Sequence, residues 1–216
     1  MRVVDLFSGT GSATAAFLDR GHEVEEVEIE RGRDVLTWEP EGHYDFIWAS
    51  PPCQAFSVAG ARWGHFKNGS PQTETARIGL RLLERTLYLY EKADSMFFIW
   101  ENPRGLMRKF VPSFIERRTV WYCQYGMKYA KPTDLFGRFP SSFKALSCYY
   151  GEPDHENSLR GLKNSGIQAL TGARKRSVVP YGLSLALCRA AEKDLERRPL
   201  RGFIRRLKWL IGQWRP

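Results

Sequence analysis

Val3-Val4-Asp5-Leu6 is a short apolar run that breaks at once into Phe7-Ser8-Gly9-Thr10-Gly11-Ser12 and resumes with Ala13, Ala16 and Phe17 at helical spacing. Strand, glycine turn and helix in that order make an α/β beginning of the kind that opens a nucleotide-type site. The glycines let backbone approach a ligand closely, and the helix N-terminus offers N–H groups to an anionic end. A tight strand–helix turn with no ligand has the same pattern, so the rest of the chain must decide.

Two further apolar runs read as buried strands, and each ends in chemistry. Tyr44-Asp45-Phe46-Ile47-Trp48-Ala49 leads into Ser50-Pro51-Pro52-Cys53-Gln54-Ala55-Phe56-Ser57. Each proline fixes φ and pushes its predecessor toward extended geometry, so the thiol is carried on a stiff backbone. That suits a nucleophile; a small buried core cysteine is the other reading. Met96-Phe97-Phe98-Ile99-Trp100 leads into Glu101-Asn102-Pro103, a carboxylate beside an amide at a strand end. In an open α/β sheet, ligands bind outside such carboxyl ends.

Asp5-Leu6-Phe7-Ser8-Gly9-Thr10-Gly11, Pro51-Pro52-Cys53-Gln54 and Glu101-Asn102 together resemble, in order and spacing, the hallmark motifs of DNA cytosine-5 methyltransferases. The likeness is greatest to the compact, phage-type members. Cys123-Gln124-Tyr125-Gly126 with Lys131-Pro132-Thr133-Asp134-Leu135 extends it, as does Arg176-Ser177-Val178-Val179-Pro180-Tyr181-Gly182-Leu183, which is similar to the last motif that closes over the cofactor. The resemblance implies a Rossmann-like S-adenosylmethionine-dependent methyltransferase fold, with a mostly parallel sheet and helices on both faces. It also implies a catalytic group of Cys53, Glu101, Asn102 and Lys131. Cys53 would attack C6 of cytosine as a thiolate, and Glu101 would contact N3 and the exocyclic amine. C5 would then take the methyl group, leaving S-adenosylhomocysteine, with no metal involved. An ordinary thiol titrates near ~8.5, so a basic surround is expected to help. The target base must leave the duplex, because a stacked ring is out of reach.

Carried over position by position, the resemblance gives a cofactor set of Asp5, Phe7, Ser8, Gly9, Gly11, Glu28, Asp34, Pro51 and Ser177. Phe7 would lie against the adenine. Glu28, near the end of the strand expected over residues 24–29, would take the ribose hydroxyls; Glu26 and Glu30 compete for that role in an acid-rich stretch. Asp34 is the choice for the adenine amine. Gln54, Ser57, Arg62, Lys67, Arg174 and Lys175 are the expected DNA contacts.

The sequence also departs from the family. Lys131 and Thr133 stand where two arginines are usual, and Arg176-Ser177 stands where Gly-Asn is usual. Lysine offers a charge but no planar fork. Three alternatives therefore stay open: a non-catalytic DNA- or cofactor-binding relic, an RNA cytosine methyltransferase, and transfer of a modified group, for example carboxymethyl, from an S-adenosylmethionine analogue. The stretch of about residues 138–173 is too short for a separate target-recognition domain, so sequence readout is expected to be short or weak. Cys148, His155 and Cys123 have no paired spacing that argues for zinc.

At 216 residues the chain suits one sizeable core. The expected division is a catalytic domain over 1–196 and a basic amphipathic helix over 197–216. A formal charge of +9 and a pI near 9.5 suit a polyanionic partner, here DNA. In the tail, Arg197, Arg198, Arg201, Arg205, Arg206 and Lys208 interleave with Leu200, Phe203, Ile204, Leu207 and Trp209. Packing on the domain, DNA-backbone contact and membrane-surface binding all fit that pattern. No apolar run reaches the ~20 residues of a membrane span and no signal peptide is evident, so a cytoplasmic monomer without membrane attachment is expected. Four cysteines without paired spacing, one of them the expected nucleophile, agree with a reducing compartment. Residues 54–73 have no period and read as a long loop after the nucleophile, with Ile78, Leu80, Leu82, Leu83 and Leu87 following as a core helix.

Overall fold

The computed structural model describes residues 1–58, 63–148 and 172–212; side chains are described as far as Arg197, apart from those of residues 173 and 174. The elements are β1 (Arg2–Leu6), α1 (Ala15–Asp19), β2 (Glu23–Val27), β3 (Tyr44–Ala49), β4 (Phe66–Lys67), β5 (Ser70–Pro71), α2 (Glu74–Lys92), β6 (Ser95–Pro103), β7 (Arg117–Trp121), β8 (Pro132–Arg138), α3 (Ala173–Ser177) and α4 (Tyr181–Gly212). Six strands form one sheet in the order β2-β1-β3-β6-β8-β7. The pairs from β2 through β6 are parallel, and β8 runs antiparallel to both its neighbours. This is the expected Rossmann-like methyltransferase arrangement, mostly parallel with helices on both faces.

Near-continuous apolar strands build it, as burial on two faces requires. Phe46, Trp48, Phe97 and Ile99 point to the face covered by Phe17 of α1 and by Leu183 and Leu187 of α4. Ile47, Phe98 and Trp100 point to the other, covered by Leu83 and Leu89 of α2. The buried stripe on α2 is Ala76, Gly79, Leu83, Thr86 and Leu89, while Ile78, expected in the core, is 50% exposed. Thr73 caps that helix, accepting from the Ala76 amide at 3.2 Å.

Three local readings change. The loop after Cys53 contains a hairpin, β4–β5, turning on Asn68-Gly69 with both residues at positive φ. An Asn-Gly pair is the sequence signal for such a turn. The strand expected over 24–29 stops at Val27, because Glu28 caps a short 3-10 turn over Ile29–Arg31. Helix α4 runs unbroken across the boundary expected at 196/197. Residues 149–171 of the shortened insert lie outside the described residues, as do the side chains of the basic tail beyond Arg197.

Candidate active site

Two motif-bearing turns meet where the sheet order reverses. From β1 the chain crosses to β2 on one side, while β3 lies on the other, which leaves a crevice at the carboxyl ends of β1 and β3. A cavity of about 280 Å³ occupies it. Phe7, Ser8, Gly9, Glu28, Asp34 and Ser177 of the expected cofactor set line this cavity, together with Ser50, Pro52, Leu82 and Val179. Asp5, Gly11 and Pro51 do not line it. Asp5 lies wholly buried beneath the turn, and its Oδ2 accepts from the Thr14 hydroxyl at 2.8 Å. Pro51 is buried and turns its carbonyl toward Asn102.

The glycine turn is forced rather than merely permitted. Phe7 itself has φ 58°, a left-handed conformation uncommon for a bulky residue and found where function over-determines the backbone. At Gly11, with φ 69°, a Cβ would come within 2.9 Å of the Glu26 carboxylate. Among the three competing acids, Glu28 lines the cavity, Glu26 is ion-paired to Arg31, and Glu30 is exposed. The Glu28 carboxylate accepts from the Gly9 amide at 2.7 Å. Asp34 Oδ1 accepts from the Leu36 amide at 2.9 Å.

The expected helix N-terminus is altered. Helix α1 has five residues, and its Ala16 amide donates to Ser184 Oγ at 3.1 Å, so that donor serves α4 rather than a ligand. The Val179 amide donates to Ser12 Oγ at 3.0 Å, binding the last motif to the glycine turn. Among the described residues nothing pairs with the buried Ser8 hydroxyl, which fits a polar ligand in this cavity.

Cys53 sits just past β3, its carbonyl accepting from the Phe56 and Ser57 amides at 3.0 and 2.9 Å. Beyond it, at the end of β6, Glu101 is 7% exposed and Asn102 fully buried. The Tyr122 hydroxyl donates to Glu101 Oε1 at 2.9 Å, and Lys131 Nζ lies 3.7 Å from the same oxygen. Lys131 Nζ also donates to the Arg176 carbonyl at 3.0 Å, joining the β8 edge to α3. Burial pushes the Cys53 thiol up, and the Glu101 charge adds to this against the opposing pull of Lys131 and Arg176. The basic surround expected to activate the thiol is therefore outweighed in the free protein. Tyr122 was not among the expected site residues; a tyrosine following Arg117-Arg118-Thr119-Val120-Trp121 carries no local signal of chemistry, and only the fold reveals its partner.

Of the expected DNA contacts, Gln54, Lys67 and Lys175 are exposed, and Ser57 forms an isolated antiparallel bridge with Gly105. Arg62 and the side chain of Arg174 lie outside the described residues.

The profile of the C-5 cytosine-specific DNA methylases matches residues 21–110, a span containing both Cys53 and Glu101. A probable DNA (cytosine-5)-methyltransferase of Frog virus 3 (isolate Goorha) is 31% identical over 150 residues, 63% of this chain and 70% of that protein. The chain belongs to the DNA cytosine-5 methyltransferase family. Among solved structures, an Entamoeba histolytica methyltransferase, EhMeth, aligns at TM-score 0.41 and 11% identity, over 67% of this chain and 56% of that one. A DNMT2 variant from Spodoptera frugiperda aligns at 0.39 and 16%, over 68% and 53%. This family member thus spans little more than half of either solved protein.

One other cluster among the described residues has metal-ligating atoms close together: His22, Cys188 and Glu192, all within 4.8 Å. Arg20 donates to both oxygens of Glu192 at 2.9 and 2.8 Å, and the thiol is pushed up to about 11 by burial and then by the Glu192 charge. A guanidinium already holds the carboxylate and the thiol stays protonated, so the cluster reads as an ion-pair network joining α4 to the β2 edge. Cys123 and Cys148 are buried and form no disulfide, and His155 lies outside the described residues. Among the described residues no helix is long and apolar enough to cross a membrane.

Proposed function

We propose that the chain methylates C5 of cytosine in DNA through Cys53, with S-adenosylmethionine as donor. The observation that supports this reading is that Pro52, next to Cys53, lines the β1/β3 cavity, while the Glu101 carboxylate, hydrogen-bonded by Tyr122 and faced by Lys131, is near enough to act on the Cys53 thiol. Ser8, Glu28, Asp34 and Ser177 fit the donor, with Phe7 against its adenine, and the donor supplies an electrophilic methyl on a sulfonium. Asp5, Gly11 and Pro51 act from behind the turn by shaping it. No metal is required.

The target cytosine enters flipped from its helix. Glu101 takes up a proton as the base binds; Cys53 gives its proton to water as its sulfur bonds to C6, while the displaced π electrons reach N3, which takes the proton from Glu101. When bound in the cavity, the donor would supply its methyl group to the enamine carbon C5 and leave as S-adenosylhomocysteine, with the electron pair of the broken methyl–sulfur bond on sulfur. Water removes the C5 proton, the C5–C6 double bond returns, the C6–S bond breaks to release the Cys53 thiolate, and the N3 proton goes back to Glu101. Asn102 holds the Cys53 turn, and Lys131 supplies positive charge beside it.

Gln54, Ser57, Arg62, Lys67, Arg174 and Lys175 form the DNA-facing set, supported by the exposure of Gln54, Lys67 and Lys175. Residues 1–196 form the catalytic unit, acting as a monomer in the cytoplasm with short or weak sequence readout, and residues 197–216 form the basic appendage. The test is nucleoside mass analysis of plasmid DNA from cells expressing wild type or Cys53→Ala. Methylcytosine with wild type alone supports the reading. A heavier cytosine would turn it to a modified donor, and methylation of RNA alone to the RNA reading. DNA binding with no modified base would favour the relic.

A further inference from the structure

Glu101 is a carboxylate inside the protein, and the structure gives it two partners of different kinds. Tyr122 begins the 3-10 turn Tyr122–Tyr125 that follows β7, and it is completely buried. Its hydroxyl donates to Glu101 Oε1 at 2.9 Å, while Lys131 Nζ stands 3.7 Å from the same oxygen and 4.6 Å from the centre of the Tyr122 ring. The tyrosine donates a hydrogen bond to Oε1, and the Lys131 ammonium adds charge near the same oxygen. Behind the tyrosine, the side chain of Thr133 interacts with the hydroxyl, and Thr133 Oγ1 also donates to the Lys131 carbonyl at 3.3 Å. Tyr122, Thr133 and Lys131 therefore form one packed group whose polar ends serve a single carboxylate oxygen.

The geometry points to Tyr122 as a positioning residue that decides which oxygen of Glu101 carries the proton during the reaction. This rests on the cytosine methylation proposed above. An oxygen that already accepts from a hydroxyl and faces an ammonium is the poorer place for a proton, so the proton is directed to Oε2, the oxygen we assign to cytosine N3. The exchange balances: Oε2 gives its proton to N3 as sulfur bonds to C6 and recovers it when Cys53 leaves. Tyr122 donates throughout and neither gains nor loses a proton. Burial and the neighbouring Glu101 charge both hold its phenol well above the ordinary range, so it remains a donor across the working pH.

The test compares wild type, Tyr122→Phe and Cys53→Ala on an oligonucleotide containing 5-fluorocytosine, together with steady-state methylation between pH 6 and 9.5. Removing the hydroxyl leaves the ring in place but strips one donor from Oε1, so Glu101 binds its proton more tightly and on either oxygen. The expected result is kcat lower by about 10- to 100-fold, the scale of a lost proton-transfer arrangement. KM for DNA and donor should change less than about threefold, and the alkaline limb of kcat should move to higher pH. A residue that only packs the core would lower the fraction of active protein without moving that limb.

An active wild type whose kcat and pH profile survive Tyr122→Phe overturns the role given to Tyr122 and leaves the methylase reading standing. A wild type that forms neither adduct nor methylcytosine overturns that reading, and this role with it. If Tyr122→Phe fails to fold, wild type made with 3-fluorotyrosine, a stronger donor, must move the same limb to lower pH; an unmoved limb overturns the proposal.

Discussion

The side-chain amide of Asn102 donates to the carbonyl oxygen of Pro51 at 3.1 Å, fastening the end of β6 to the backbone two residues ahead of Cys53. Both ends of this bond are buried, so neither has water to fall back on. Asn102→Ala leaves the carbonyl unpaired and should cost about 1–3 kcal/mol of stability. Asn102→Asp should cost more, since it sets a carboxylate oxygen against that carbonyl. Chemical denaturation gives the stability, and trapping on 5-fluorocytosine DNA gives the reactivity. If the bond only stabilises the sheet, Asn102→Ala will trap at the wild-type rate once corrected for folded protein.

Glu101 and Lys131 act on the Cys53 thiol with opposite signs. Burial and the Glu101 charge raise it, while Lys131 draws it down. Glu101→Gln should therefore make Cys53 a better thiolate at a given pH and speed its alkylation by iodoacetamide about three- to tenfold, even as methyl transfer is lost. Lys131→Met should slow alkylation. Wild-type alkylation should keep rising with pH beyond the range of an ordinary cysteine. Peptide mass mapping of Cys53 reads all three, and slower alkylation in Glu101→Gln would contradict the assignment.

Asp5 adds a pH dependence to stability. Its carboxyl is raised to about 7, chiefly by burial, against the lowering effect of the Thr14 hydroxyl. Raised above its unfolded value of 3.8, the group takes up a proton more readily when folded, so ionised Asp5 destabilises the fold. That destabilisation is complete above pH 7, diminishes as pH falls through 7, and disappears below the unfolded value. Asp5→Asn keeps an acceptor for Thr14 and should raise Tm most at pH 8, with the gain more than halved at pH 5. A pH-independent gain would mean that the charge is not the cause.

The fold was largely legible because three apolar runs each ended in unusual chemistry. Tyr44–Ala49 is a strand with the bounds expected of it, since five hydrophobic or aromatic residues among the six positions before Ser50-Pro51 leave little choice. Of the three neighbouring acids it is Glu28 that lines the cavity, although β2 ends one residue before it. What escaped was relational. Tyr122 looks like core until β7 and β8 bring it to Glu101, 21 positions away along the chain, and nothing local marks the pairing. Helix α1 was expected to present its N-terminus to a ligand, but Ser184 from the far end of the chain claims the Ala16 amide. The hairpin over Phe66–Pro71 was signalled by Asn68-Gly69 and obscured by strands only two residues long.

Gly105 gives the sharpest steric test of how the Cys53 turn is held. Its φ of −174° is extended backbone open to any residue, so conformational strain is not the reason for glycine there. The reason is approach: a Cβ at this position would stand 2.3 Å from the Phe56 carbonyl oxygen, where the Leu106 amide already donates at 2.7 Å. Neither neighbour is a flexible side-chain end that could swing away. Gly105→Ala must push the Phe56–Ser57 backbone outward, and the Phe56 and Ser57 amides both donate to the Cys53 carbonyl. A displacement on the order of 1 Å at a reacting group costs about 100-fold in rate. Adduct formation should fall by about that factor, while donor affinity by calorimetry changes little, because the glycine turn and Glu28 lie on the other side of β3. Adduct formation at the wild-type rate would show that the turn does not depend on this contact, and a matching loss of donor affinity would show that the disturbance spreads through the whole crevice.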